Sequence, residues 1–210
     1  MWRPDVGDWL SKELRKLLNP IEAVPPLLPP VAAVVALLSQ VNGLAILLIK
    51  RRERAGDPWS GQVALPGGFM SAGDSSPLEA ALRELREEVG IRLRREEVLG
   101  ALSTHAPLIR PEVKVVPYVA YSNRAPEVIL GSEVEAARWF PLASFKFSKV
   151  NVELMGGRRE EVDALLADGW VVWGLTYRII SELLDRLRLL LEGLSTNFSP
   201  APQEPSLTRP

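Results

Sequence analysis

The stretch SSPLEAALRELREEVGI, residues 75–91, carries its own start and stop signals. Ser76 stands three residues before Glu79 with Pro77 between them, a capping box with proline at the first helical position. Gly90 supplies a left-handed stop, and apolar Ile91 follows it. A helix over about 77–89 is therefore predicted, with its phase set at both ends. At about 100° per residue, Leu78, Ala81, Leu82, Leu85 and Val89 share one arc that must face a core. Glu84, Glu87 and Glu88 fall in the neighbouring arc, accompanied by Arg83 and Arg86 rather than by lysines. Three carboxylates at i, i+3 and i+4 repel by about a few tenths of a kcal/mol per pair. Such a set suits a hard cation such as Mg²⁺, which takes oxygen ligands and keeps waters for substrate phosphates. Helix spacing alone also fits a plain solvated charged face. The loop before the helix bears on that choice.

That loop reads GQVALPGGFMSAGD, residues 61–74. With the helix it resembles the signature of the Nudix hydrolases, G-x5-E-x7-R-E-U-x-E-E-x-G-U, where U is aliphatic. Gly68 begins the match, and Arg83-Glu84-Leu85, Glu87-Glu88 and Gly90-Ile91 complete it. Asp74 stands where the signature has glutamate, and eight residues rather than seven separate it from Arg83. The extra residue lies in the loop; Glu79 is read as the capping-box partner, not as the displaced glutamate. The resemblance implies an α/β fold, a Nudix-type α/β/α sandwich with a mixed central sheet. It also implies metal-dependent hydrolysis of a nucleoside diphosphate linked to another group, with Mg²⁺ or Mn²⁺. Carried over by position, Glu84, Glu87 and Glu88 are the metal set, Arg83 orients them, and Gly67-Gly68 let the backbone approach the substrate. Charge compensation and positioning suffice for phosphoryl transfer, which fits a chain with no cysteine and one histidine.

Two further stretches resemble the coenzyme A pyrophosphatase branch. Upstream, Leu48-Ile49, Arg52, Gly61-Gln62-Val63-Ala64 and Pro66-Gly67-Gly68 match its signature in part, while Lys50, Gly56, Asp57, Trp59 and Leu65 depart from it. Near the C-terminus, VVWGLTYRIISELL (171–184) is similar to that branch's Trp-Gly-Leu-Thr helix start. The implied reaction splits coenzyme A into phosphopantetheine and adenosine 3′,5′-bisphosphate. Arg51, Arg52 and Arg54 suit the 3′-phosphate and diphosphate, or are exposed charges at a strand end. Two other readings stand beside this one: a Nudix pyrophosphatase of ADP-ribose, dinucleotides or nucleoside triphosphates, and a Nudix-fold binding module without catalysis. The intact carboxylate set counts against the last.

The water-activating base need not lie on the helix, because a metal-bound carboxylate has its lone pairs engaged. Glu133, in LGSEVEAARWFPL, resembles the Glu-Val step before the Trp-x-Pro-Leu motif of many Nudix proteins and is favoured over Glu112, in IRPEVKVVPYV. His105 reads as a structural or surface residue, and Trp170 and Trp173 as core packing rather than base stacking.

Elsewhere the pattern is coarser. Trp9, Leu10, Leu14, Leu17 and Leu18 recur at helical spacing and end at Asn19-Pro20. Residues 1–25 thus form an amphipathic helix with a proline-rich connector, 26–194 the catalytic domain and 195–210 a disordered tail. Residues 31–38 and 44–50 read as buried strands of a hairpin turning at Asn42-Gly43. Residues 51–75 read as a long loop, 97–104 and 112–122 as strands, and 128–150 as mixed, with a strand ending at WFPL (139–142). Residues 155–165, MGGRREEVDAL, read as a loop, either a lid or a solvated insertion. A last helix is expected from about 175 to 193, with Ile179, Ile180, Leu183, Leu184 and Leu187 on one stripe.

Composition narrows the partners. Over 210 residues, 25 basic and 26 acidic side chains leave a net charge of -1, which argues against a chain built to neutralise nucleic acid. Without cysteine, disulfides and thiol nucleophiles are excluded. The most apolar run, residues 24–49, is broken by four prolines and by SQVNG, so no membrane span is expected. With no apolar leader, a cytoplasmic location is expected. The expected partner is a small nucleotide substrate, and the assembly state is open between monomer and homodimer.

Overall fold

The computed structural model describes residues 6–56, 59–154 and 157–197. Its organising strand is β1 (Val31–Gln40), whose aliphatic residues are buried on both faces of a sheet. β1 runs parallel to β6 (Lys114–Ser122) along one edge. Along the other edge two partners share it. Its C-terminal end pairs antiparallel with β2 (Leu44–Arg51), and its N-terminal end pairs antiparallel with β4 (Gly67–Phe69). The β1–β2 turn holds Asn42 and Gly43 at φ 50° and 105°, the left-handed geometry that favours Asn-Gly. β2 also pairs with β3 (Val63–Ala64) and with β7 (Val134–Pro141), and β5 (Val98–Ala101) closes the far side on β6.

Alternation along the strands divides the apolar groups between two layers. Ala33, Val35, Leu37, Leu47 and Ile49 meet Leu78, Ala81, Leu85 and Val89 of α2 (Pro77–Val89). On the opposite face Ala36, Leu38, Ile46 and Leu48 meet Ile179, Ile180, Leu183 and Leu187 of α3 (Gly174–Asn197). Leu14 and Leu18, in and just beyond α1 (Val6–Lys16), join that second layer. The expected α/β/α sandwich with a mixed central sheet is what forms. The N-terminal segment is part of its core, and Arg15 fastens it by donating to the carbonyls of Glu96, Val98 and Leu99. Among the described residues, no helix is long and apolar enough to cross a membrane.

The structure departs from the sequence reading in three segments. Residues 51–75 are not all loop, because β3 and β4 form within them once β2 and β1 offer edges to pair with. Residues 159–165, within the segment expected to be a loop, are strand. β8 (Lys146–Glu153) and β9 (Arg159–Ala167) make a long hairpin, extended by β10 (Trp170–Trp173) into a separate three-stranded sheet. Charged residues hid this strand pair, since Lys149 faces both Glu161 and Asp163 while Val150 pairs with Val162. Met155 and Gly156 of that expected loop lie outside the described residues, as do Asp57, Pro58 and residues 198–210 of the expected tail. Residues 195–197 continue α3 rather than starting a tail. Trp170 is buried against Phe140, ring centres 5.1 Å apart.

The segment before β7 locks the end of α2. The amides of Ile129 and Gly131 donate to the carbonyls of Val89 and Glu88 at 3.0 and 2.8 Å, covering groups that every helix end leaves open. A β-carbon on Gly131 would lie 2.1 Å from the carbonyl oxygen of Glu87. Gly131→Ala is therefore expected to cost about 2 kcal/mol by overpacking, or roughly 4–8 °C in Tm for a chain of this length. A thermal melt unchanged by the substitution would show that the segment is not seated on the helix.

Candidate functional site

The carboxylates owe their direction to the ends of α2. Ser76 adopts an extended conformation and its hydroxyl accepts from the Glu79 amide at 3.2 Å. The Glu79 carboxylate reaches back one residue further than a standard box, to the amide of Ser75 at 2.7 Å. Gly90, at φ 72°, closes the other end on the Arg86 carbonyl. This phase turns Glu84 and Glu88 toward β4.

Glycine at both positions permits that approach with Glu84 and Glu88 as they stand. A β-carbon on Gly68 would stand 2.6 Å from the carboxylate of Glu84. One on Gly67 would stand 2.3 Å from the carbonyl oxygen of Ala33, and Gly67 itself sits at φ 150°. The amide of Gly67 donates to Glu88 Oε2 at 2.9 Å. Glu88 is 4% exposed. Burial pushes its carboxyl up to about 7, with the charges of Glu84 and Glu133 adding to the rise and the Gly67 amide and Arg51 opposing it. Arg51 Nη1 lies 3.7 Å from Glu88 Oε1.

Arg83 organises the other side. Its guanidinium donates to both oxygens of Asp74 at 3.0 Å, to Glu84 Oε1 at 2.8 Å, to Glu87 Oε2 at 3.0 Å and to the Phe69 carbonyl at 3.2 Å. One planar fork thus ties strand β4, the loop and the helix together. Asp74 also accepts from the amide and hydroxyl of Ser71 at 2.7 and 2.9 Å. The Arg83 hydrogen bonds hold its carboxyl well below the usual carboxylate range, against the opposing effect of burial. The extra loop residue before the helix has been absorbed, and Asp74 is an anchor for Arg83. That role was not legible beforehand, although the Ser71-x-x-Asp74 spacing is a recognisable turn signal.

The remaining candidates divide. Arg54 pairs with Glu133 at 3.0 Å, both side chains half exposed, and Glu133 is close enough to act on the charge of Glu88. Arg52 is directed elsewhere. Its guanidinium donates to the carbonyls of Ser132 and Val134, and its amide to that of Glu133, so it holds the segment that carries Glu133. Glu112 is exposed and paired with Arg110 at 3.0 Å. His105 lies away from this group, its Nε2 2.8 Å from Glu182, which also binds Ser103 and Arg186. That network fastens α3 to the segment after β5 and had no signal in the sequence.

Among the described residues, no group of three acidic, histidine or cysteine side chains converges on one coordination point. Glu84 and Glu87 are held on Arg83 and Glu88 on the Gly67 amide. The donors are nonetheless all carboxylate oxygens, the set a hard divalent cation takes. Glu88, buried beside the like charge of Glu84, is a carboxylate that such a cation would compensate. The residues fit Mg²⁺ or Mn²⁺, with Glu84 and Glu88 the two that share the Gly-Gly approach.

A family model for the NUDIX domain matches residues 28–157. An uncharacterized Nudix hydrolase, NudL, of Photorhabdus laumondii is 33% identical over 149 residues, covering 68% of this chain and 78% of that protein. An uncharacterized protein of Schizosaccharomyces pombe is 42% identical over 110 residues, covering 47% of this chain. The match spans only 32% of the yeast protein's length. A MutT/nudix family protein from Enterococcus faecalis superposes with a TM-score of 0.52 at 19% identity, covering 91% of this chain and 76% of that one, which shows the shared fold.

Asp74 and Arg83 also set an expected pH dependence. Because Asp74 titrates lower in the folded chain than in the unfolded one, the unfolded chain binds more protons in between, and stability rises with pH there. Asp74→Asn is expected to cost about 2 kcal/mol at neutral pH. The gap in Tm between variant and wild type should be constant above about pH 5 and shrink as pH falls below about 4. A gap that does not narrow in acid would remove the ion pair as its source.

Proposed function

The chain belongs to the Nudix family, and on that premise we propose that it hydrolyses the diphosphate of a nucleoside diphosphate derivative, coenzyme A being the substrate favoured. The observation that carries the reading is the seating of Glu84 and Glu88 on either side of Gly67-Gly68, where backbone and carboxylates can meet a pyrophosphate together. The preference for coenzyme A rests on the partial branch signature around Gly61-Gln62-Val63-Ala64 and on the helix start at Gly174-Leu175-Thr176. ADP-ribose, dinucleotides and nucleoside triphosphates are the alternatives.

Mg²⁺ or Mn²⁺, held by Glu84, Glu87 and Glu88, would supply compensation of phosphate charge and activation of water. The chain's own residues do the positioning. Gly67 and Gly68, lacking side chains, let the β4 backbone come against Glu84 and Glu88 and so bring strand and carboxylates to one place. Arg83 keeps Glu84 and Glu87 at fixed angles and so limits the reorganisation needed on binding. Glu133 is proposed as the residue that takes the proton from the attacking water, with Arg54 orienting its carboxylate. Arg51 and Arg54 are proposed to meet substrate phosphates. Arg52 is left out of that role because its donors already serve the Glu133 segment.

Coenzyme A, dephospho-CoA, ADP-ribose, diadenosine polyphosphates and nucleoside triphosphates, each with Mg²⁺ and Mn²⁺ and read by product mass, test the substrate. Coenzyme A should yield phosphopantetheine and adenosine 3′,5′-bisphosphate and exceed dephospho-CoA in kcat/KM. Equal values would deny Arg51 and Arg54 the 3′-phosphate, and cleavage of ADP-ribose alone would move the protein to the alternative. Glu84→Gln and Glu88→Gln should each lower kcat by about 100-fold or more while the helix stays folded. Near-wild-type turnover in either, with saturating Mg²⁺, would refute the assignment. An unaltered pH–rate profile in Glu133→Gln would place the base elsewhere.

A further inference from the structure

A second cluster of unlike side chains stands on the same short strand as the Gly-Gly pair. Phe69, which ends β4, is 39% exposed. The ring of Trp59 is 6.2 Å from it, centre to centre, at an interplanar angle of 53°. The guanidinium of Arg110 stands over its ring, 6.0 Å from the centre. These residues come from three places in the sequence: the segment before β3, β4 itself, and the turn before β6. Single exposed aromatics are ordinary on protein surfaces. An aromatic pair with a guanidinium over one ring is a more specific arrangement, because rings and planar cations stack on flat π systems.

Its position relative to the carboxylates follows from strand alternation. Gly68 is in register with Ala33, in the layer beneath α2, and lies against Glu84. Phe69 is in register with Ala32, which packs with Val113 and Val115 on the other side of the sheet. The Phe69 carbonyl accepts from Arg83, so the backbone bearing the ring is tied to the fork that holds Glu84. β4 pairs with β1 alone among the described strands. A ligand lying across the edge of β4 therefore meets the carboxylates on one side and the Phe69 ring on the other.

The spacing suits a flat occupant. Two stacked contacts at about 3.5 Å each need about 7 Å between the outer planes. Arg110, 6.0 Å from the ring centre, has to retreat by about 1 Å or more, and its side chain is 45% exposed and able to do so. Glu112, at 3.0 Å from Arg110 Nε, aims the guanidinium.

We propose that Phe69 and Arg110, backed by Trp59, form a stacking subsite for the heteroaromatic base of a nucleotide whose diphosphate lies at Glu84 and Glu88. The assignment rests on the nucleotide reading given above. It makes Phe69 a specificity residue and gives Glu112 a positioning role through Arg110.

Equilibrium binding tests it without requiring turnover. Adenosine 5′-monophosphate and ribose 5-phosphate, which differ only in the base, are titrated separately into the whole chain with Mg²⁺ by calorimetry. Wild type should bind the first about tenfold or more tighter than the second, as expected for a base stacked on an aromatic ring. Phe69→Leu should remove most of that ratio by weakening the monophosphate alone, and Phe69→Trp should restore it. Arg110→Met should lower the ratio about threefold, and because its side chain is exposed it serves as the test if Phe69→Leu fails to fold. A wild-type ratio near one, a ratio unchanged in Phe69→Leu, or an equal loss for both ligands would overturn the subsite. A base-dependent ratio that Phe69 controls, in a chain that cleaves nothing in the substrate panel, would uphold the subsite and refute the hydrolase reading.

Discussion

The Gly67 amide meets the carboxylate of Glu88 at 2.9 Å, and Gly68 lies where any side chain would strike Glu84. This close approach of β4 to α2 is the constraint on which the site depends. It needs β4 in register with β1, since Gly68 faces the helix only while it pairs with Ala33. A slip of one residue would place Phe69 against Glu84 and turn glycine away. The Arg83 fork secures the same approach from the side, binding the β4 backbone, Asp74 and two helix carboxylates together.

Glu88 shows what the approach costs. A carboxylate that is 4% exposed and beside Glu84 is held with its charged form disfavoured, and the Gly67 amide and Arg51 offset this only in part. Natural cores place buried charges among partners. Perturbed, buried carboxylates of this kind gather at functional sites, which is in keeping with the metal role proposed for Glu88. Asp74 is the contrasting case, an acid stabilised in its charged form by Arg83, with a role in architecture.

The segment from Ile129 to Val134 links the two halves of this arrangement. Its amides cap α2, Arg52 holds its carbonyls, and it carries Glu133, which pairs with Arg54 and lies close enough for its charge to act on Glu88. Tight packing at Gly131 ties the placement of Glu133 to the end of the very helix that carries the other carboxylates. Nothing in local composition marked Ile129, Gly131 or Arg52 for this, since each acts across a long sequence separation.

What could be read from the amino acids alone was local. The α2 helix, its caps at Ser76 and Gly90, its two arcs and the Asn42-Gly43 turn all follow from groups within a few residues of one another, so sequence order already contains the geometry. Helix α3 was likewise legible from apolar periodicity, whereas the α/β/α layering was implied only by the resemblance to the Nudix signature. Only the tertiary structure decided the pairing of β3 and β4, the β8–β9 hairpin, the anchoring of Arg83 by Asp74, the diversion of Arg52 to the Glu133 segment and the meeting of Trp59, Phe69 and Arg110. Short or charged strands have little pattern of their own and form because a neighbouring edge offers hydrogen bonds. An arginine's partner is chosen by which acceptor the fold brings within about 3 Å, and that distance exists only after the sheet has set its register.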